Sequence, residues 1–247
     1  MRVRAADVLG DAWRLWRADA TLLLAIAGPF WFLPAWALTL LVPGPPALPA
    51  GAGPGTREAV VWADRLAAWL ANDGLWYLLG AAIGGWATLA VCALYLDRAR
   101  PDVRGALGLG AGLWPRYMLL SALTGLMALA GLLLWVLPGL YLLGRLLPSA
   151  PALVAERPLG AVAAVGRSFT LSKGAGLALT TLVAATYGLG WLAQQPLLML
   201  DGWLRGQEGG GNPVALATVD ALAAAVAAAA SLGAVLLAVA AYRRLAR

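Results

Sequence analysis

The chain contains no histidine and a single cysteine, and only 12% of its 247 residues are charged. Each shortage removes a class of chemistry. Without histidine, the commonest general base, the commonest metal ligand and the side chain that titrates near neutrality are missing. Serine triads, cysteine–histidine pairs and histidine-based zinc motifs are thereby excluded. Cys92, set inside an apolar run, permits neither a disulfide framework nor a cysteine metal site. The charged fraction is about half that of an ordinary soluble domain, too little to clothe a globule of this size in polar groups.

The 12 acids are scattered singly, mostly near the ends of apolar runs. Asp7 and Asp11, four apart, read as a solvated helix face. Gly108-x-Gly110-x-Gly112 has no strand before it and reads as a flexible interfacial segment, not a nucleotide fingerprint. No catalytic residue, metal site or cofactor is therefore expected, and the chain is not expected to be an enzyme.

What is abundant is apolar. Hydrophobic residues make up 62% of the chain, mean hydropathy is +0.78, and 30 glycines supply the small surfaces that let helices approach closely in lipid. A hydrocarbon core of roughly 30 Å needs about 20 apolar residues per helix. Six runs are read as spans: 21–42, 74–96, 117–136, 140–155, 175–200 and 214–242. The first is too long and too aromatic for a cleavable leader, and Pro29 and Pro34 should kink it. The fourth is short and carries Arg145, Pro148 and Pro151, so irregularity is expected there.

Between these runs lie four amphipathic stretches, 3–16, 57–71, 103–114 and 159–171. In 57–71, Val61, Trp62, Leu66, Trp69 and Leu70 share a helical face, the pattern of a helix lying in the membrane interface. The other three each precede an odd-numbered span. The fold class expected is an all-α polytopic bundle, one membrane domain over 1–247. Its six spans are either three copies of an interfacial helix plus two spans, or an even-spanning bundle with polar connectors.

Orientation follows from the basic residues. Arg2, Arg4, Arg14, Arg17, Arg98, Arg100, Arg104, Arg116, Arg157, Arg167, Lys173, Arg243, Arg244 and Arg247 fall on one side, against Arg57, Arg65 and Arg205 on the other. The larger group belongs in the cytoplasm, with both termini. The net charge of +6 is placed beside apolar runs, where anionic headgroups sit, so membrane lipids and not nucleic acid are the partners expected.

A charge at depth is expensive and marks a pair or a wet cavity. Arg145 lies about six residues past Pro138-Gly139, and Asp220 about six past the start of the last span. At 1.5 Å per residue both fall roughly 10 Å below the outer surface. With Gln194 and Gln195 they form a candidate intramembrane polar cluster, read either as an interhelical ion pair or as a pocket for an anionic group.

The segment Pro138-Gly139-Leu140-Tyr141, then Arg145, Pro151, Glu156, Ala161 and Arg167-Ser168-Phe169-x-Leu171-x-Lys173-Gly174 resembles the membrane-domain family named for glycerophosphoryl diester phosphodiesterase. The likeness is strongest over 101–176, weaker over Asp11-Ala12-Trp13-Arg14-Leu15-Trp16-Arg17 and absent over 214–247. It implies a six-helix bundle of the bacterial inner membrane, sometimes fused to a soluble phosphodiesterase domain whose catalytic groups are not expected here. The matched residues admit two readings. Glu156 pairs with Arg167 and pins the interfacial helix that carries Ser168, or Arg157, Arg167 and Lys173 grip lipid phosphates. The function expected is a non-catalytic accessory role in envelope maintenance or a membrane protein complex; the alternative is a transporter or lipid-handling protein using the Arg145 and Asp220 region.

Overall fold

The computed structural model describes residues 4–49, 51, 53, 55–99, 101–206 and 212–246. It is 85% helical, with no strand among the described residues. Six segments are long and apolar enough to cross a membrane: Ala5–Leu41, Gly74–Leu96, Val103–Leu134, Val136–Ala155, Gly176–Arg205 and Pro213–Leu245. The chain is an integral membrane protein of the all-α bundle class. Arg2, Arg100 and Arg247, counted above for orientation, lie outside the described residues.

The first span is built from α1 (Ala5–Ala27), a π-helical turn (Gly28–Phe32) and α2 (Leu33–Leu41). Pro29 and Pro34 each fall in the first two positions of the segment they begin, where a missing N–H costs least. The kink expected from these prolines takes the form of one widened turn, a local device that breaks helix regularity without ending the helix. A second irregularity, Asp19 at φ −129° and ψ 29°, separates the amphipathic start of α1 from its apolar remainder.

A loop then leads to α3 (Arg57–Asn72), capped by Thr56, whose hydroxyl accepts from the Ala59 N–H at 3.3 Å. The indoles of Trp62 and Trp69 donate to the carbonyls of Pro46 (3.0 Å) and Pro43 (2.8 Å) and fasten the proline-rich loop along the helix. No residue of α3 is buried, and Val60, Val61 and Leu70 are exposed, as an interfacial helix requires.

The second and third spans are α4 (Gly74–Leu96) and α5 (Val103–Leu134). The stretch 103–114 is not a separate interfacial helix. Asp102 caps α5 by accepting from the Gly105 N–H at 2.8 Å, and the helix runs unbroken through Pro115 for 32 residues. At 1.5 Å per residue that is about 48 Å, well beyond a ~30 Å core, so its first turns project past the membrane. The stretch 3–16 likewise runs into α1. Of the three stretches that precede odd-numbered spans, only 159–171 forms a helix of its own.

The fourth span is α6 (Val136–Leu146) and α7 (Ser149–Ala155), interrupted at Leu147-Pro148, which is the irregularity expected. The turn back from α5 falls at Trp135 (φ −175°, ψ 158°), with Pro138 and Gly139 already inside α6. There α5 and α6 nearly touch: a Cβ on Gly139 would stand 2.7 Å from the Leu132 nitrogen. Next come α8 (Ala161–Leu171), α9 (Gly176–Arg205) and α10 (Pro213–Leu245). α10 is central, packing against α1, α2, α4, α7 and α9 and buried without interruption over 235–242.

Candidate functional site

The candidate cluster of Arg145, Gln194, Gln195 and Asp220 is not assembled. Asp220 is 6% exposed and accepts from Arg205 Nη2 at 3.2 Å, while Arg205 Nε donates to both oxygens of Asp201 at 2.9 Å. This triad ties the end of α9 to the start of α10. Gln195 donates to the Trp191 carbonyl of its own helix at 3.4 Å, and neither Gln194 nor Gln195 bonds Arg145 or Asp220 among the described residues. Arg145 lies instead against the α8–α9 junction. Its Nε donates to Ser172 Oγ (2.8 Å), its Nη2 to the Phe169 carbonyl (2.5 Å), and its own carbonyl accepts from Ser168 Oγ (2.8 Å). Arg145 stands beside the first residue of α9, where a Cβ on Gly176 would meet its Cδ at 3.1 Å, whereas Asp220 is held by Arg205 at the last residue of α9, so the two are separated by the length of that helix.

The other candidates share one layer at the basic end. Arg167 Nε donates to both oxygens of Glu156 (2.9 and 2.8 Å), which also accepts from the Tyr242 hydroxyl at 2.9 Å. Glu156 thereby joins the end of α7 to α8 and α10. Arg157 donates to Asp97 at 2.5 Å, tying the residue after α7 to the end of α4. The Asp97 carboxyl is held below its ordinary value of 3.8, first by the Ala99 N–H and then by Arg157, against the opposing effect of burial. Ser168 is buried and Lys173 exposed. Arg157 and Arg167 are thus committed to carboxylates within the chain, the pinning arrangement. Further ties in this layer join Asp19 to the Tyr95 hydroxyl (2.9 Å), Arg243 to the Tyr95 carbonyl (2.6 Å), and Arg244 to Asp7 and Asp11.

A pocket of about 740 Å³ lies between the π-turn and helices α2, α4, α5, α7, α9 and α10 and opens to the surface of the bundle, where Leu78 and Tyr187 are exposed. Its size falls within the roughly 300–1,000 Å³ of small-molecule sites. Trp31, Tyr117, Met118, Pro151 and Val235 form part of its wall, and no charged side chain lines it among the described residues. The lining residues with polar side-chain groups are Trp31, Thr88, Cys92, Tyr117, Ser121, Tyr187 and Ser231, of which Thr88 and Ser231 donate to the Gly84 and Ala227 carbonyls of their own helices. Gly80, Gly84 and Gly85 let Leu38, Trp31 and Tyr117 lie directly against α4 along this wall; a Cβ on Gly85 would meet the Tyr117 ring at 2.6 Å. Sequence reasoning missed this site. Its available signals were the Gly80-x-x-x-Gly84 spacing and the hydroxyls dispersed over the apolar runs, each ordinary by itself.

No family model, no curated protein and no solved structure matches the chain. The cavity and the basic layer therefore carry the functional reading on their own geometry.

Proposed function

We propose that this is a non-catalytic lipid-handling protein of the bacterial inner membrane, with both termini in the cytoplasm, that takes the hydrocarbon chain of a membrane lipid into this pocket. The observation that carries this reading is a cavity of about 740 Å³ with apolar walls, isolated hydroxyls and no charge. An ion or a sugar would meet too few polar partners in such a space, whereas a hydrocarbon chain loses nothing on leaving the bilayer for it. The hydroxyls supply hydrogen bonds for an ester or alcohol near the chain's polar end. The absence of histidine from the sequence supports the non-catalytic part. Membership of the glycerophosphoryl diester phosphodiesterase membrane-domain family belongs to the same proposal; its support is that Arg145, Glu156, Arg167, Ser168 and Lys173 converge at one junction.

Identifying the lipids retained on extraction into mild detergent tests it. Ser121→Phe on α5 and Ala234→Phe on α10 fill the cavity from two sides. The wild type should carry a lipid that both variants lose; equal retention in all three would refute the reading. An accessory role is the second reading, favoured by the ion pairs that consume Arg157, Arg167, Arg205 and Asp220 inside the chain. A partner protein co-purifying in fixed ratio would select it.

A further inference from the structure

Arg145 is a candidate cation within a span that pairs with no carboxylate among the described residues. We propose that it binds the phosphate of an anionic ligand at the α8–α9 junction, with Tyr141 and Lys173 completing the site. The guanidinium is already oriented. Ser172 Oγ holds Nε, the Phe169 carbonyl holds Nη2, and the rings of Phe169 and Tyr141 stand 5.0 and 5.9 Å from its central carbon. Every one of these partners is neutral. Arg145 makes no ion pair among the described residues, so its charge is positioned and not compensated.

A cation within a membrane span is normally paired or open to a polar phase. The next carboxylate along the chain is Glu156, at the end of α7, and it is taken up by Arg167 on both oxygens and by Tyr242. No carboxylate among the described residues pairs with Arg145, which leaves its charge available to an anionic ligand. Of the five N–H donors of a guanidinium, Ser172 and Phe169 occupy two, and a third makes only a long 3.4 Å contact with the Tyr141 hydroxyl. What remains is the Nη1–Nη2 edge, whose paired N–H groups match two oxygens of a phosphate. Tyr141 is 38% exposed beside that edge, so a ligand can reach it. Lys173 follows Ser172 directly, is exposed, and adds a second positive charge. The ligand is a phosphate-bearing anion, either a phospholipid headgroup or a soluble phosphate ester. The site shares no lining residue with the cavity and does not depend on it.

Binding to the full-length protein in neutral detergent tests the site, using phosphatidylglycerol, phosphatidylcholine and inorganic phosphate as separate titrants. Phosphatidylglycerol should bind about tenfold more tightly than phosphatidylcholine, and Arg145→Gln should abolish that preference, the loss of one charge-assisted contact. Arg145→Lys, which keeps charge without the paired donors, should retain part of it. A response to inorganic phosphate that vanishes in Arg145→Gln assigns the site to a soluble phosphate ester; a response to phosphatidylglycerol alone assigns it to a headgroup. If Arg145→Gln fails to fold, the doubly substituted Tyr141→Phe, Lys173→Ala protein, changed only at exposed positions, should show the preference cut about threefold or more. Equal binding of the two lipids with no response to phosphate would overturn the site. So would an unchanged preference in folded Arg145→Gln or in the double variant.

Discussion

Replacing Glu156 by alanine should loosen the basic end of the bundle by an amount that can be worked out contact by contact. The pair with Arg167 is partly exposed, with side-chain exposures of 28% for Glu156 and 39% for Arg167. Solvent screening limits such a pair to about 1 kcal/mol. The Tyr242 hydroxyl is a different case. Tyr242 is 7% exposed, and losing its acceptor leaves a shielded polar group unmatched at a cost of about 1–2 kcal/mol. Together the substitution should cost about 2–3 kcal/mol, which for a chain of this size lowers the midpoint of thermal unfolding by about 4–12 °C. The protein carries its own reporter: Cys92 is the only cysteine and is 0% exposed, so a thiol-reactive fluorophore reads unfolding directly as the sample is heated. Glu156→Gln keeps an acceptor for Tyr242 and should cost about 1 kcal/mol. Arg167→Ala should cost less in the Glu156→Ala background than in the wild type, with a coupling of about 0.5–1 kcal/mol. A midpoint for Glu156→Ala within a degree of the wild type, or additive single effects, would refute the assignment of Glu156 as the tie between α7, α8 and α10.

Three further expectations are open to measurement. At the α6–α9 crossing a Cβ on Gly144 would stand 2.6 Å from the Thr180 nitrogen and 2.7 Å from its Cα. Gly144→Ala should therefore cost about 1–3 kcal/mol by Cys92 labelling, whereas Gly112→Ala, with open space around it, should be neutral or slightly stabilising. The folded Asp97 carboxyl titrates below its ordinary value, so its contribution is full above that value and disappears as pH falls through the folded one. The stability difference between wild type and Asp97→Asn should accordingly be constant from about pH 5 to 8 and close only as pH falls below the ordinary value of 3.8; a difference that changes between pH 8 and 6 would contradict this. For orientation, in a Cys92→Ala background Val60→Cys should react with a membrane-impermeant reagent in intact cells and Lys173→Cys only after lysis; the reverse pattern would invert the topology.

The spans and the amphipathic helix α3 were legible because each rests on a local property. Length and hydropathy delimit a membrane helix, and the spacing of Val61, Trp62, Leu66, Trp69 and Leu70 delimits α3 to within one residue of its end at Asn72. What was not legible depends on tertiary geometry. The amphipathic stretch 103–114 contains no residue that stops a membrane helix, and Pro115 just after it is tolerated, so polarity alone suggested a boundary that the backbone of α5 ignores. The Arg145–Asp220 pairing failed for a similar reason. Depth was counted along each span as if both Arg145 and Asp220 hung from the same surface, but the partner of Asp220 is Arg205, across the short connection between α9 and α10. That pair was available to a reading that matched charges across loops before matching them across the membrane. The Glu156–Arg167 tie was found because it is local in sequence, 11 residues apart, and needs only that α8 fold back on the end of α7.

The placement of the charges bears on how the bundle around the pocket is held together. Lipid gives helices no hydrophobic reason to associate, so neighbours must be specified by packing or by polar ties. Here the ties sit at the two ends. At the basic end Asp7 and Asp11 join α1 to α10, Asp19 joins α1 to α4, Asp97 joins α4 to the residue after α7, and Glu156 joins α7 to α8 and α10. At the other end the Asp201–Arg205–Asp220 triad joins α9 to α10, and the Trp36 indole, donating to the Ala217 carbonyl at 3.1 Å, joins α2 to α10. These contacts lie toward the aqueous boundaries, where desolvation of an ion pair is least costly. These ties add to the close approach of helices at the small residues of α4, where a Cβ on Gly80, Gly84 or Gly85 would meet Leu38, Trp31 or Tyr117. For the proposed uptake of a hydrocarbon chain, the π-helical turn of the first span, which places Trp31 in the pocket wall, is the irregular backbone segment beside the site.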